Sequence, residues 1–124
     1  DAVICEADGS RQLPFKLHTQ RDPQIPLFNT FTIAVAGLWG IGKKARDVVF
    51  GEDMDAVLDR SYLNRYINTE QGLLKGSSAG ARAIVFNGAE DFSELSLLRN
   101  LDYPEDVSVF AAAEKTGVIY EKIQ

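Results

Sequence analysis

Runs of apolar residues set against glycines and polar breaks organise this chain. The first, Ala2-Val3-Ile4-Cys5, stands before the carboxylates Glu6 and Asp8 and the turn residue Gly9. It is too short for a helix and lacks polar alternation, so Asp1–Glu6 is expected to be a central strand of a parallel sheet. Leu13, Phe15 and Leu17 alternate with Pro14, Lys16 and His18, a short extended segment that Pro14 confines to an edge. The prolines of Gln20–Pro26 rule out a regular helix there and leave an ordered loop.

Phe31–Ala36 is the second expected strand and ends at Gly37; Ala83–Phe86 is the third and ends at Asn87-Gly88; Val107 to Phe110 or Ala112 is the fourth. Between the second and third, Asp53 can cap a helix running to Ile67, with Met54, Val57, Leu58, Tyr62 and Tyr66 on one side. A second helix is expected over Phe92–Leu101, before Pro104. Val118–Ile123 is a last strand or the start of a helix. Strands alternating with helices make an α/β domain, with a mostly parallel sheet flanked by helices. An all-β alternative makes Ala111–Val118 a hairpin and has no middle helix.

Composition narrows the class. With 124 residues, 45% of them hydrophobic, the chain fills one domain with a real core and is not disordered. Its net charge of -5, with scattered lysines and arginines, gives no electrostatic footprint for nucleic acid. The apolar runs fall short of the roughly 20 residues that span a bilayer, and the expected location is the cytoplasm. The lone Cys5 excludes an internal disulfide, and its apolar neighbours suggest a buried, inert thiol.

Several short motifs carry candidate chemistry. Gly37, Gly42 and Lys43 have the spacing of a phosphate-binding loop, but Lys44 stands where a hydroxyl must meet magnesium. Gly76, Ser78 and Gly80 match G-x-S-x-G, without the strand before it or the helix after it that a nucleophile elbow needs. Asn87-Gly88-Ala89-Glu90-Asp91 follows a buried strand, as the Asn-Lys-x-Asp turn does in guanine-nucleotide pockets, with Gly88 in the lysine position and Glu90 in the last. His18 has no cysteine or second histidine to complete a zinc site. The carboxylates Glu6 and Asp8, at an expected strand end, would face the crevice where open α/β sheets bind ligands.

Taken together, V-I-C-E-A-D-G-S-R-Q-L-P-F-K, D-P-Q-I-P and I-A-V-A-G-L-W-G-I-G-K resemble one family. This is the YqeC-like accessory proteins for selenium-dependent molybdenum hydroxylases, a branch of the P-loop NTPases. Glu6 to Ser10, Leu13, Pro14, Lys16, Pro23, Ile25, Pro26, Gly37, Leu38, Gly42 and Lys43 carry the match. Members of that family hold their phosphate-binding loop upstream of E-A-D-G, so the resemblance makes this chain the later part of a nucleotide-binding domain, residues 1–124 forming one partial unit.

The resemblance implies binding of ATP or GTP with Mg²⁺, for hydrolysis or nucleotidyl transfer, in maturation of a client hydroxylase. Glu6 and Asp8 would hold Mg²⁺ and serve the chemistry. Gly9 would let the backbone approach the phosphate, Lys16 would contact phosphate or substrate, and Asn87 and Glu90 would serve the base pocket. An N-terminal segment or companion chain would supply the phosphate loop, as part of an oligomer. Without that segment, Asp1–Glu6 and Phe31–Ala36 would leave exposed apolar edges, unless they pair with each other. The alternative is a non-catalytic docking or nucleotide-sensing module, or an inactive half-domain.

Overall fold

The computed structural model describes residues 1–77 and 80–124. Ser78, the serine of the G-x-S-x-G pattern, lies outside the described residues. The order of elements is β1 (Phe15–Lys16), β2 (Phe31–Gly37), α1 (Ala45–Val48), β3 (Val49–Phe50), α2 (Arg60–Asn68), β4 (Ala81–Asn87), α3 (Leu95–Arg99), β5 (Val107–Ala113) and β6 (Val118–Lys122), with short 3-10 turns after β2, β4 and β5. The main sheet has the order β2-β4-β5-β6, and β1 pairs with β3 in a separate two-stranded ribbon. Within the main sheet β2, β4 and β5 run parallel, and β6 returns antiparallel to β5. The fold is α/β, with a mixed, mainly parallel sheet and helices beside it.

Strand register explains where the core lies. Ala36 pairs with Phe86 and Phe86 with Ala111, while Ile84 pairs with Val109. These side chains share one sheet face and are all buried. Tyr62, Leu63, Tyr66 and Ile67 of α2, with Leu98 of α3 and the following Leu101, belong to the same cluster. Their spacing along α2 forms one apolar stripe, which a helix needs in order to lie on a sheet. Asp59 caps α2 by accepting a 2.9 Å hydrogen bond from the Tyr62 backbone N–H.

The opposite sheet face is different. Phe31, Ile33 and Val35 alternate with the inward residues of β2 and are 50, 56 and 61% exposed. Val85 and Phe110, in register with Val35, continue that face only half-buried. Further along, Ile119 on β6 is opposite Ala112 and is also exposed. Parallel strands are ordinarily covered on both faces; here the helices cover one.

Several expectations are corrected. Asp1–Glu6 is not a strand: it is irregular and exposed, with Val3 and Ile4 86 and 96% accessible, and it does not pair with β2. An apolar run becomes a strand only where a neighbour offers backbone partners, and among the described residues none does. Cys5 is exposed with it rather than buried. The helix expected from Asp53 begins only at Arg60, because residues 54–58 run back along residues 43–46. The bonds Ala45 N–H to Ala56 O and Leu58 N–H to Lys43 O hold that return. The helix over Phe92–Leu101 shrinks to Leu95–Arg99. One part of the all-β alternative is present, since Ala113 pairs with Val118 across a tight turn.

Candidate functional site

A cleft lies at the carboxyl ends of the parallel strands, where the crevice rule for open α/β sheets places ligands. It has a volume of about 330 Å³ and is lined by Leu38 and Trp39 after β2, by Asn87, Gly88, Glu90, Asp91 and Phe92 at the end of β4, and by Glu114 and Lys115 after β5. Asn87 ties two of these loops together. Its Oδ1 accepts from the backbone N–H of Gly88 and of Glu114, both at 2.9 Å, and its Nδ2 donates to Glu114 Oε2 at 2.8 Å. Gly88 takes a left-handed φ of 92°, which lets the chain turn at once from β4 into the cleft wall.

Trp39 fixes the third wall. A Cβ at Gly37 would stand 2.5 Å from its ring and one at Gly88 3.3 Å, so the indole lies against both glycines. The ring remains half-exposed. Glu90 Oε2 is fully buried with no hydrogen-bond partner among the described residues. Of the expected base-pocket residues, Asn87 and Glu90 therefore meet in one cleft, with Asn87 acting as the buttress between loops. Trp39 and Glu114 were missed, because their approach depends on the strand order rather than on a local pattern.

Glu6, Asp8, Gly9 and Lys16 do not line this cleft. Glu6 is exposed on the irregular N-terminal segment. Lys16, buried in β1, donates through Nζ to Gly9 O at 2.9 Å, lies 2.5 Å from Asp22 Oδ2 and 3.5 Å from Asp8 Oδ2. Burial alone would lower the Lys16 pKa; the hydrogen bond to Asp22 and the charges of Asp8 and Asp22 outweigh it, and the net shift is upward. The Lys16 hydrogen bond, with those from Thr19, outweighs desolvation of Asp22 and holds that carboxyl down at about 2. His18 is bonded through Nδ1 to Gly72 O at 2.8 Å, and its Nε2 lies 2.8 Å from Asp8 Oδ2. Tyr66 completes the support, its hydroxyl donating to Lys16 O and accepting from Lys16 N–H.

In this arrangement the Lys16 ammonium is occupied by protein oxygens. Asp8 faces a lysine and a histidine nitrogen, surroundings that suit an ion pair better than a divalent cation. Among the described residues no group of three or more His, Cys, Asp or Glu side chains forms a metal site. As the described residues are placed, Glu6 and Asp8 do not come together as a Mg²⁺ site. The loop Gly37–Lys43 is no phosphate cradle either: Ile41, Gly42 and Lys43 N–H donate to Leu38 O, Leu58 O and Gly40 O. No described helix is long and apolar enough to cross a membrane.

Comparison with known proteins agrees with the residue pattern at the start of the chain. The family described as YqeC protein matches residues 1–53. The Escherichia coli (strain K12) protein named "Uncharacterized protein YqeC" is 31% identical over 96 residues, an alignment that takes in 69% of this chain and 38% of that protein. The chain thus spans well under half the length of that relative. No solved structure matches it. The sequence is similar to YqeC proteins, the family match lying over residues 1–53.

Proposed function

We propose that this chain is part of a nucleotide-binding accessory protein of the YqeC kind, and that its cleft receives the base end of ATP or GTP. The observation that carries this reading is the convergence of the β2, β4 and β5 loops on one 330 Å³ cleft, tied by Asn87 to Glu114. That volume sits at the small end of the roughly 300–1,000 Å³ usual for ligand sites, enough for a base rather than a whole nucleotide. With Glu90, Asp91 and Glu114 against Lys115, the lining repels phosphates, so the triphosphate lies outside it.

A further segment or companion chain is proposed to hold the phosphates. The outer edge of β2, which pairs with no strand among the described residues, and the exposed row Phe31, Ile33, Val35 support such a neighbour. Mg²⁺ enters as the counter-ion of the phosphates. The selenium-dependent molybdenum hydroxylase as client, an oligomeric state and a cytoplasmic location rest on the resemblance alone.

A second reading is a nucleotide-sensing or docking module without turnover. The commitment of Asp8 and Lys16 to each other, to His18 and to Asp22 favours it. Calorimetry of this chain with GTP and ATP tests the common part, and saturable binding is expected without magnesium. Absence of binding by either nucleotide would contradict the proposal. In the longer protein, Glu6→Gln and Asp8→Asn separate the readings: magnesium-dependent product that both variants abolish favours the enzyme, and nucleotide binding with no product favours the sensor.

A further inference from the structure

The two edges of the main sheet are built differently. β6 closes one side with Glu121 and Lys122 and with a register shift at Ala111 and Ala112, the charges and irregularity that ordinarily keep an edge from pairing. β2 closes the other side with Phe-Thr-Ile-Ala-Val-Ala-Gly, a run without a charge, a proline or a register shift. Its backbone groups alternate in direction. Ala81 N–H donates to Thr30 O, so Thr30, Thr32, Ala34 and Ala36 turn towards β4, and Phe31, Ile33, Val35 and Gly37 turn outwards. Gly37 N–H is met there by Pro14 O at 2.9 Å, but no described residue meets the N–H or C=O of Phe31, Ile33 or Val35.

We infer that this edge pairs with the same edge of a second copy, antiparallel about a twofold axis at Ile33. The occupant is a second copy because the open stretch is self-complementary. With Ile33 at its centre, the axis sets Phe31 opposite the second copy's Val35 and Ile33 opposite itself. These are hydrogen-bonded pairs, in which each residue both donates and accepts, so every open group is satisfied. Such an isologous contact needs nothing from outside the chain. The axis stands perpendicular to the sheet, so the exposed row Phe31, Ile33 and Val35 lies beside its copy on one face as apolar cross-strand pairs. One strand edge buries less than the roughly 800 Å² per partner of a standard interface, which makes the dimer reversible and concentration-dependent. A companion segment seated on β2 would displace the second copy, since both need the same row of amides. The nucleotide reading stands apart, because none of these three residues lines the cleft.

Sedimentation equilibrium of the parent chain, from about 10 μM to about 1 mM, is expected to show monomer passing to dimer. Ile33→Lys sets two ammonium groups across the axis and is expected to stay monomeric over that range, with circular dichroism unchanged. Oxidation in a Cys5→Ser background reads the register. Ile33→Cys faces itself at about 5.5 Å between Cα atoms, inside the roughly 4.4–6.8 Å that a disulfide spans, and is expected to cross-link. Val35→Cys lies about 14 Å from its copy, four residues along the strand, and is expected to remain uncross-linked. A parent chain that is monomeric throughout overturns the inference, as does a dimer that Ile33→Lys leaves intact or equal cross-linking at both positions. Should Ile33→Lys disturb the fold, the two cysteine variants decide alone.

Discussion

Asn87 and Glu114 are 27 positions apart and joined by two hydrogen bonds, Nδ2 to Oε2 at 2.8 Å and Glu114 N–H to Oδ1 at 2.9 Å. Parallel pairing of β4 with β5 brings the two strand ends side by side. Asn87→Ala removes both bonds together with the support of the Gly88 turn. A loss of about 1–2 kcal/mol is expected in urea unfolding, with a weaker Trp39 response to ligand. Unchanged stability would mean that the loops hold their positions by packing alone.

The indole of Trp39 is seated by glycine. Gly37→Ala places a methyl group 2.5 Å from the ring, so ring or backbone must move. A destabilisation of about 1–3 kcal/mol is expected, with a change in tryptophan emission. Emission and stability both like the parent's would show that the ring does not lie against Gly37.

The ion pair of Lys16 with Asp22 makes a pH prediction of definite sign. The folded-state pKa of Asp22 is depressed to about 2, so its contribution is fully present above the ordinary aspartate range. It is lost as the pH falls from about 4 through 2. Asp22→Asn is expected to cost about 1 kcal/mol near pH 6, allowing for its partial exposure. Urea midpoints of parent and variant should converge between pH 4 and 2, and a gap that stays constant to pH 2 would contradict the pairing.

The two faces of the sheet should answer differently to substitution. Phe86 is fully buried, and Phe86→Ala is expected to cost about 3–5 kcal/mol. Val35, one strand away on the other face, is 61% exposed, and Val35→Thr should stay within about 0.5 kcal/mol in this chain. A large cost at Val35 would show that this face is buried in solution.

What could be read from sequence follows from how each element is held. Phe31–Ala36, Ala83–Phe86 and Val107–Ala112 read correctly as strands because each mostly apolar run finds a parallel neighbour that pairs its backbone. Ala2–Cys5 carries the same signature, yet its residues stay exposed; composition records what a strand needs and not whether a partner exists. Asp53 and Asp59 are equal as caps on paper. The return of residues 54–58 along 43–46 chooses Asp59, and that is a tertiary fact. Asn87 and Glu90 were legible because Asn-Gly after a buried strand is a local signal. Trp39 and Glu114 carry no such signal, since three separate loops meet only through the order β2-β4-β5.

The most direct measurement is a two-dimensional amide NMR titration of the folded chain with GTP. The shifts are expected to gather at Leu38, Trp39, Gly88, Glu90, Asp91, Phe92, Glu114 and Lys115, the walls of the cleft. Shifts centred on Asp8, Gly9 and Lys16 instead, or none at saturating GTP, would contradict it.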